Sequence, residues 1–306
     1  MTSLTSGRSR LRLAPYLFLA PALILATALL TVPIGYTVWR SLHASRITGG
    51  GLGVAEEVFV GIENYVRVLG RADLLPSFGR LLAFAAIFVP TAMLLALVFA
   101  LLLDNVSSRL TRFSRISIFV PYAVPGVIAA LMWGFMYLPG VSPFHDVAVA
   151  LGLPRPDFLG HSGIIASIAN IAIWGAVGFN MVILYTALRG LPNELYDAAR
   201  IDGCNEWQLA LRIKVPLVVP GLILTGMFTV IGALQVFSEP NTMVTLSTAI
   251  GSDWVPMMVV YRDAFITNDL YGASALAIII TVVTLAASFL LLGIAQRRAF
   301  GSESRS

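Results

Sequence analysis

Leu191-Pro192-Asn193-Glu194-Leu195-Tyr196-Asp197-Ala198-Ala199-Arg200-Ile201-Asp202-Gly203-Cys204-Asn205-Glu206-Trp207-Gln208-Leu209-Ala210-Leu211-Arg212-Ile213-Lys214-Val215-Pro216 is a polar stretch set between two long apolar blocks, near 164–188 and 217–237. Its local signals spell two short helices. Pro192 suits the first turn of a helix, where its missing N–H is harmless. Glu194 and Asp197 lie near that positive helix end. Leu191, Leu195, Ala198 and Ala199 fall on one narrow face of small and apolar residues. Gly203 suits the left-handed position that ends a helix. Asn205, with Gln208 three residues on, has the spacing of a capping box that opens a second helix. Pro216 cannot donate into that helix and marks its end.

Working outward, the chain expects a membrane. Of its 306 residues, 58% are hydrophobic and 12% charged. Soluble domains carry about 25% charged residues, and half of that leaves too little polar surface to cover a soluble globule. A helix needs about 20 apolar residues to cross the roughly 30 Å hydrocarbon layer. Six blocks qualify, near 13–42, 81–103, 116–138, 164–188, 217–237 and 273–295. Residues 13–295 are therefore read as one all-α, polytopic membrane domain with about six spans. Residues 1–12 precede it, 189–216 form its main polar loop, and 296–306 form a tail. Pro33, Pro90, Pro121, Pro125 and Pro220 in or beside the blocks are tolerated in membrane helices, where neighbours re-satisfy freed carbonyls. The first block exceeds the 7–15 apolar residues of a signal-peptide core, so it reads as an uncleaved span.

Orientation follows from the basic residues. With both termini inside, the cytoplasmic segments hold 13 of the 20 Lys and Arg residues, and the other side holds 7. The expected exterior connections differ in character. Residues 48–53 read as a flexible glycine-rich linker, 139–156 as an extended proline-rich loop, and 255–266 as a short interfacial or re-entrant helix. His43, His145 and His161 are scattered in these segments and read as loop histidines.

Blocks two to six contain no Asp, Glu, Lys, Arg or His. A charge at a helix centre costs roughly 2.5–3.5 kcal/mol, and ion-coupled carriers accept that cost. This chain argues against an ion-coupled secondary transporter and for a neutral, polar solute handled by hydroxyl and amide groups. Lys214, the single lysine, follows Ile213, so no Gly-Lys-Ser/Thr phosphate loop exists. The sequence also lacks a Gly-x-Ser-x-Gly turn and any His/Cys/carboxylate cluster with metal-ligand spacing. Cys204 stands alone, so no intrachain disulfide forms. The basic residues make no stripe for nucleic acid.

Three readings compete for the 191–216 hairpin. Closely flanking spans disfavour a DNA-binding helix-turn-helix. The small alanine pair, which lets another surface approach, disfavours a plain connector, while a non-transport membrane scaffold, as a rival function class, would tolerate changes throughout the hairpin. A docking element for a cytoplasmic partner fits.

At these residues the chain resembles the permease subunits of binding-protein-dependent ATP-binding-cassette (ABC) importers, whose loop carries an acid, a small pair, a glycine and following prolines. Glu194, Ala198, Ala199, Asp202, Gly203, Pro216 and Pro220 occupy those places. Asp197 directly precedes the alanines, while Glu194 fills the acidic position of the sugar-type variant, and Cys204 stands where alanine is usual. Pro15-Tyr16-Leu17-Phe18-Leu19-Ala20-Pro21, Phe59-Val60-Gly61-Ile62-Glu63-Asn64-Tyr65, Tyr261-Arg262-Asp263-Ala264-Phe265 and Gly272-Ala273-Ser274-Ala275 are similar to stretches of the maltose/glycerol-phosphate group, in its first-permease branch.

The resemblance implies a type I importer permease fold in the bacterial cytoplasmic membrane. The implied partners are a second homologous permease, two ATPase subunits that bind ATP and Mg, and an extracytoplasmic solute-binding protein. It implies no cofactor in this chain and no enzymatic activity of its own. Glu194, Asp197, Ala198, Ala199, Asp202 and Gly203 would then form the ATPase-coupling site. Asn180, Gln235, Phe237 and Glu239 would contact the solute, expected to be a sugar or sugar-like molecule. A non-sugar solute is the alternative within the family.

Overall fold

The computed structural model describes residues 8–47, 54–104 and 109–300. The glycine-rich linker read at 48–53 lies outside them, as do residues 1–7 and 301–306. Among the described residues, five helices are long and apolar enough to cross a membrane, or six if one sharply bent pair counts as a span. The chain divides into two compact units, residues 1–70 with 263–279, and residues 71–262 with 280–306.

In the first unit, α1 (Arg8–Ala26) continues through a π-helical turn (Thr27–Thr31) into α2 (Val32–Ser41). The apolar run Pro15–Ser41 is 27 residues long. Tyr16, Leu17, Phe18, Leu29 and Leu30 on it are exposed, which suits a helix solvated by lipid rather than water. Two short antiparallel strands follow, β1 (His43–Ile47) and β2 (Ala55–Phe59), in register from His43 opposite Phe59 to Ile47 opposite Ala55. The apolar-block reading had not anticipated them. The short α3 (Glu63–Leu69) is pinned to this hairpin by Asn64, whose Nδ2 donates to the carbonyls of Ser41 and His43 at 2.9 and 2.8 Å. Arg67 Nη1 bonds Asp269 Oδ2 at 2.7 Å in the same unit.

The second unit is built on α4 (Leu74–Asp104) and α8 (Ile164–Arg189). Leu81, Phe84, Phe88, Ala92, Ala96 and Ala100 recur at three- and four-residue spacing and form the buried stripe of α4. The alanine half of that stripe is fully buried. Small residues at this period let membrane helices approach closely. Met181, Leu184, Tyr185 and Leu188 of α8 pack there with Val218.

Residues 116–138, read as one span, form a sharply bent pair. α5 (Arg109–Phe119) runs into a 3-10 turn (Val120–Ala123), and α6 (Gly126–Tyr137) leaves at 100° to the first segment. Pro125 explains the break. It pushes Val124 out of the helical region, to φ −81° and ψ 124°.

The stretch 139–156 is not simply extended, because it holds α7 (Pro143–Ala150), capped by Ser142. His145 on that helix is 4% exposed, with Nε2 2.8 Å from the Pro156 carbonyl. The loop-histidine reading is therefore corrected, since a histidine between two prolines can close a turn by bonding its carbonyls.

Beyond α8 come α9 (Asn193–Ile201), α10 (Glu206–Leu209), a π-helical turn (Ala210–Lys214) and α11 (Val215–Leu217). Then α12 (Val219–Leu234) breaks at Gln235-Val236-Phe237 before α13 (Ser238–Met243). α14 (Pro256–Phe265) occupies the stretch read as a short helix, and α15 (Leu270–Phe300) is the last. Near the start of α4, Asp73 accepts from Arg71 and Arg262 at 2.7 and 2.8 Å. Arg80 donates to the carbonyls of Trp254 and Asp253 at 2.7 and 2.8 Å.

Candidate functional site

Two features of the second unit carry chemistry, and the first is the hairpin after α8. α9 ends in a Schellman arrangement. The N–H of Cys204 donates to the Ala199 carbonyl at 3.0 Å, and that of Gly203 to Arg200 at 3.1 Å. This requires a left-handed residue, and Gly203 has φ +84°. Asn205 and Gln208 then exchange side-chain and backbone hydrogen bonds of 2.8 and 3.0 Å, a complete capping box. Arg200 bridges the two helices to Glu206 at 3.0 Å. Pro192 sits one position earlier than read, as the extended N-cap of α9.

Glu194, Asp197, Ala198, Asp202 and Gly203 are exposed on this hairpin, whereas Ala199 is buried. The alanines thus part company: Ala198 is offered outward, and Ala199 packs inward. Ile201 and Trp207 are 86% and 76% exposed, and Leu195 and Leu211 are exposed as well. Large apolar side chains on a polar, helix-ended loop mark an interaction surface. Sequence reading had placed Leu195 on the narrow face of the first helix but passed over Ile201, Trp207 and Leu211, although Trp207 inside a capping box was the available signal.

The second feature is a pair of adjoining cavities. One, of about 430 Å³, is lined by Phe84, Phe88, Tyr122, Gln235, Phe237 and Glu239, among others. Its neighbour, of about 310 Å³, shares Phe88 and Tyr122 and adds Phe179, Asn180, Phe228 and Thr229. The break between α12 and α13 places Gln235 and Phe237 at the wall. The Glu239 carboxylate faces Gly126, the first residue of α6, where the positive helix end favours an anion.

Asn180 Nδ2 donates to Thr229 Oγ1 at 3.0 Å. Its Oδ1 is buried without a hydrogen-bond partner among the described residues, and such an acceptor is costly to leave unmade. Phe237 stands against Tyr261, ring centroids 5.3 Å apart. Tyr122 stacks on Phe179 at 4.8 Å. The structure therefore brings Gln235, Phe237 and Glu239 to one wall and places Asn180 next door. Apart from Phe237, sequence reading missed the aromatic lining, and Tyr122 in particular enters only where the bent pair breaks. The lining of both cavities contains no Lys, Arg or His and a single carboxylate, Glu239. Among the described residues no group of three His, Cys, Asp or Glu side chains could hold a metal ion.

The family described as "Binding-protein-dependent transport system inner membrane component" matches residues 92–300. The chain belongs to that family. The permease is 29% identical over 270 residues to the diacetylchitobiose uptake system permease protein NgcF of Streptomyces coelicolor, covering 81% of this chain and 76% of that one. It is 30% identical over 224 residues to the trehalose/maltose transport system permease protein MalF of Thermococcus litoralis, covering 72% and 74%. It is 27% identical over 284 residues to the sn-glycerol-3-phosphate transport system permease protein UgpA of Salmonella typhimurium, covering 90% and 93%. Among solved structures, a chain of a bacterial alginate ABC transporter, in complex with an alginate pentasaccharide-bound periplasmic protein, superposes with a TM-score of 0.80. That pair is 18% identical and covers 96% of this chain and 98% of that one. The fold is thus the all-α permease fold of such importers. The matched segment contains the hairpin, Asn180, Gln235, Phe237 and Glu239, while Phe84 and Phe88 of the cavity wall precede it.

Proposed function

We propose that this permease conducts a neutral, hydroxyl-rich solute of sugar type, and that a separate ATPase drives it by gripping the hairpin of α9 and α10. The observation that carries the second half is the exposed apolar pair Ile201 and Trp207, set beside the acids of a rigidly capped two-helix loop. The hairpin offers Glu194, Asp197, Ala198, Asp202 and Gly203 to that subunit, with Ala199 packing beneath. The ATPase binds ATP and Mg, and its closure moves the loop and switches the pathway from inward- to outward-facing. The remaining partners are a second, homologous permease across the pathway, a second ATPase and an extracytoplasmic solute-binding protein. The chain sits in the bacterial inner membrane with both termini and the hairpin on the cytoplasmic side. That orientation rests on the arginine bias.

The first half rests on the cavity. Aromatic faces, amides and hydroxyls with no cation suit sugar rings. The diacetylchitobiose and trehalose/maltose relatives point the same way. A phosphorylated solute, named for the glycerol-phosphate relative, would find no cationic side chain on the cavity walls. Asn180, Gln235, Phe237 and Glu239 are the contacts proposed for the solute.

Affinity purification of the detergent-solubilised permease from its own host tests the first claim. An ATPase subunit is expected to co-purify, and a permease recovered alone from coupled membranes would sink the reading. Competition tests the second: neutral disaccharides should inhibit uptake and glycerol 3-phosphate should not.

A further inference from the structure

At the root of the hairpin lies an ion pair that neither the solute cavity nor the exposed docking face uses. Lys214 Nζ stands 2.7 Å from Asp104 Oδ2, and both side chains are 3% exposed. Asp104 is the last residue of α4, so its carboxylate sits at the negative end of a 31-residue helix, where it is disfavoured. Burial adds to that cost. Lys214 answers it directly, and Arg189 Nε at the end of α8 lies 4.0 Å from Asp104 Oδ1.

Lys214 closes the π-helical turn Ala210–Lys214, and such wide turns recur at functional positions. Its ammonium also lies 4.9 Å from the ring centroid of Tyr196 on α9. The Tyr196 hydroxyl in turn donates to the Leu188 carbonyl of α8 at 3.3 Å. A polar cavity of about 270 Å³, lined by Asp104, Arg189, Asn193, Tyr196, Arg200 and Lys214 among others, surrounds the pair. One buried contact therefore joins the far end of α4, the end of α8 and both arms of the hairpin.

We propose that the Asp104–Lys214 pair is a positioning lock that makes the hairpin and the ends of α4 and α8 move as one body when the hairpin is displaced. The proposal rests on reading the hairpin as the ATPase contact. A buried ion pair is weak evidence for stability, since apolar replacements of like volume are often neutral. What it supplies is one geometry. Leucine and methionine in its place would still fill the site, but would let α9 slide over α4.

The test uses the importer complex in nanodiscs, with spin labels on the native Cys204 and on a cysteine replacing the exposed Leu94 of α4. Distances are read with and without ATP, in an otherwise unaltered complex and in the double variant Asp104→Leu/Lys214→Met. The lock predicts a single, narrow distance that keeps its peak on adding ATP. In the double variant, with the ATPase still co-purifying, the distribution should broaden or its peak shift with ATP. An unchanged narrow peak in the double variant overturns the proposal. So does loss of the ATPase from the double variant alone, which would make the pair a determinant of assembly. Failure of the unaltered complex to contain an ATPase would instead sink the reading beneath it.

Discussion

Gly203 shows how much one residue carries at the hairpin. The space where its Cβ would lie is open, so replacing it with alanine costs only the left-handed backbone, roughly 1–2 kcal/mol. Gly203→Ala should weaken ATPase recovery without removing the permease from the membrane, and Gly203→Trp should abolish uptake of labelled solute. Normal transport by the tryptophan variant would reject docking at this turn. In the cavity, Asn180→Ala removes a buried side-chain acceptor that lacks a partner among the described residues. Loss of a single solute hydrogen bond predicts a three- to tenfold rise in apparent solute KM, about 0.5–1.5 kcal/mol. An unchanged KM would remove Asn180 from the site. Gly203 and the Asn205–Gln208 box were legible in the sequence because caps are local chemistry. The orphan oxygen of Asn180 was not, since its neighbours come from α12, about fifty residues on. For the same reason nothing in the chain's order announced that Lys214 would meet Asp104.

At the scale of elements, the bent pair is the main departure from the apolar-block reading. Hydropathy cannot tell a straight helix from two joined by prolines, because both bury the same side chains. The seam is tight. A Cβ at Gly178 of α8 would run into the Ile118 carbonyl of α5. Gly178→Leu should therefore force these helices apart and cut the yield of folded permease in gel filtration. An unchanged elution profile and melting temperature would show that the seam is loose.

At the start of α4, the hydrogen bond from Arg71, aided by Arg262, holds the Asp73 carboxyl down to about 2 against an ordinary 3.8, although burial opposes it. Its stabilisation is fully present above the ordinary value and is lost as pH falls through the lowered one. Asp73→Asn should lower the melting temperature at neutral pH and flatten the loss of stability between about pH 4 and pH 2. An identical acid profile for the two proteins would mean that the arginines do not stabilise the ionised form.

Across the whole molecule, two kinds of sequence signal fared differently. The approximate number of apolar blocks depends on the thickness of the bilayer, which every membrane chain must satisfy, and it was readable from the sequence, whereas the bend near Pro125 was not. The cavity walls depend on which helices meet. Here Phe84, Tyr122, Phe179 and Gln235, drawn from four separate stretches, give an aromatic, cation-free lining. Docking belongs to this scale too, because the acids, Ile201 and Trp207 matter only if another chain closes over them. The single cysteine, Cys204, lies immediately beside that surface and serves as a native reporter. A short bifunctional thiol cross-linker applied to membranes of the host should join Cys204 to an ATP-binding subunit, and Gly203→Trp should abolish the adduct. If Cys204 instead reacts with a membrane-impermeant reagent added outside intact cells, or cross-links to no ATPase in membranes that transport, the hairpin is not where the driving force enters.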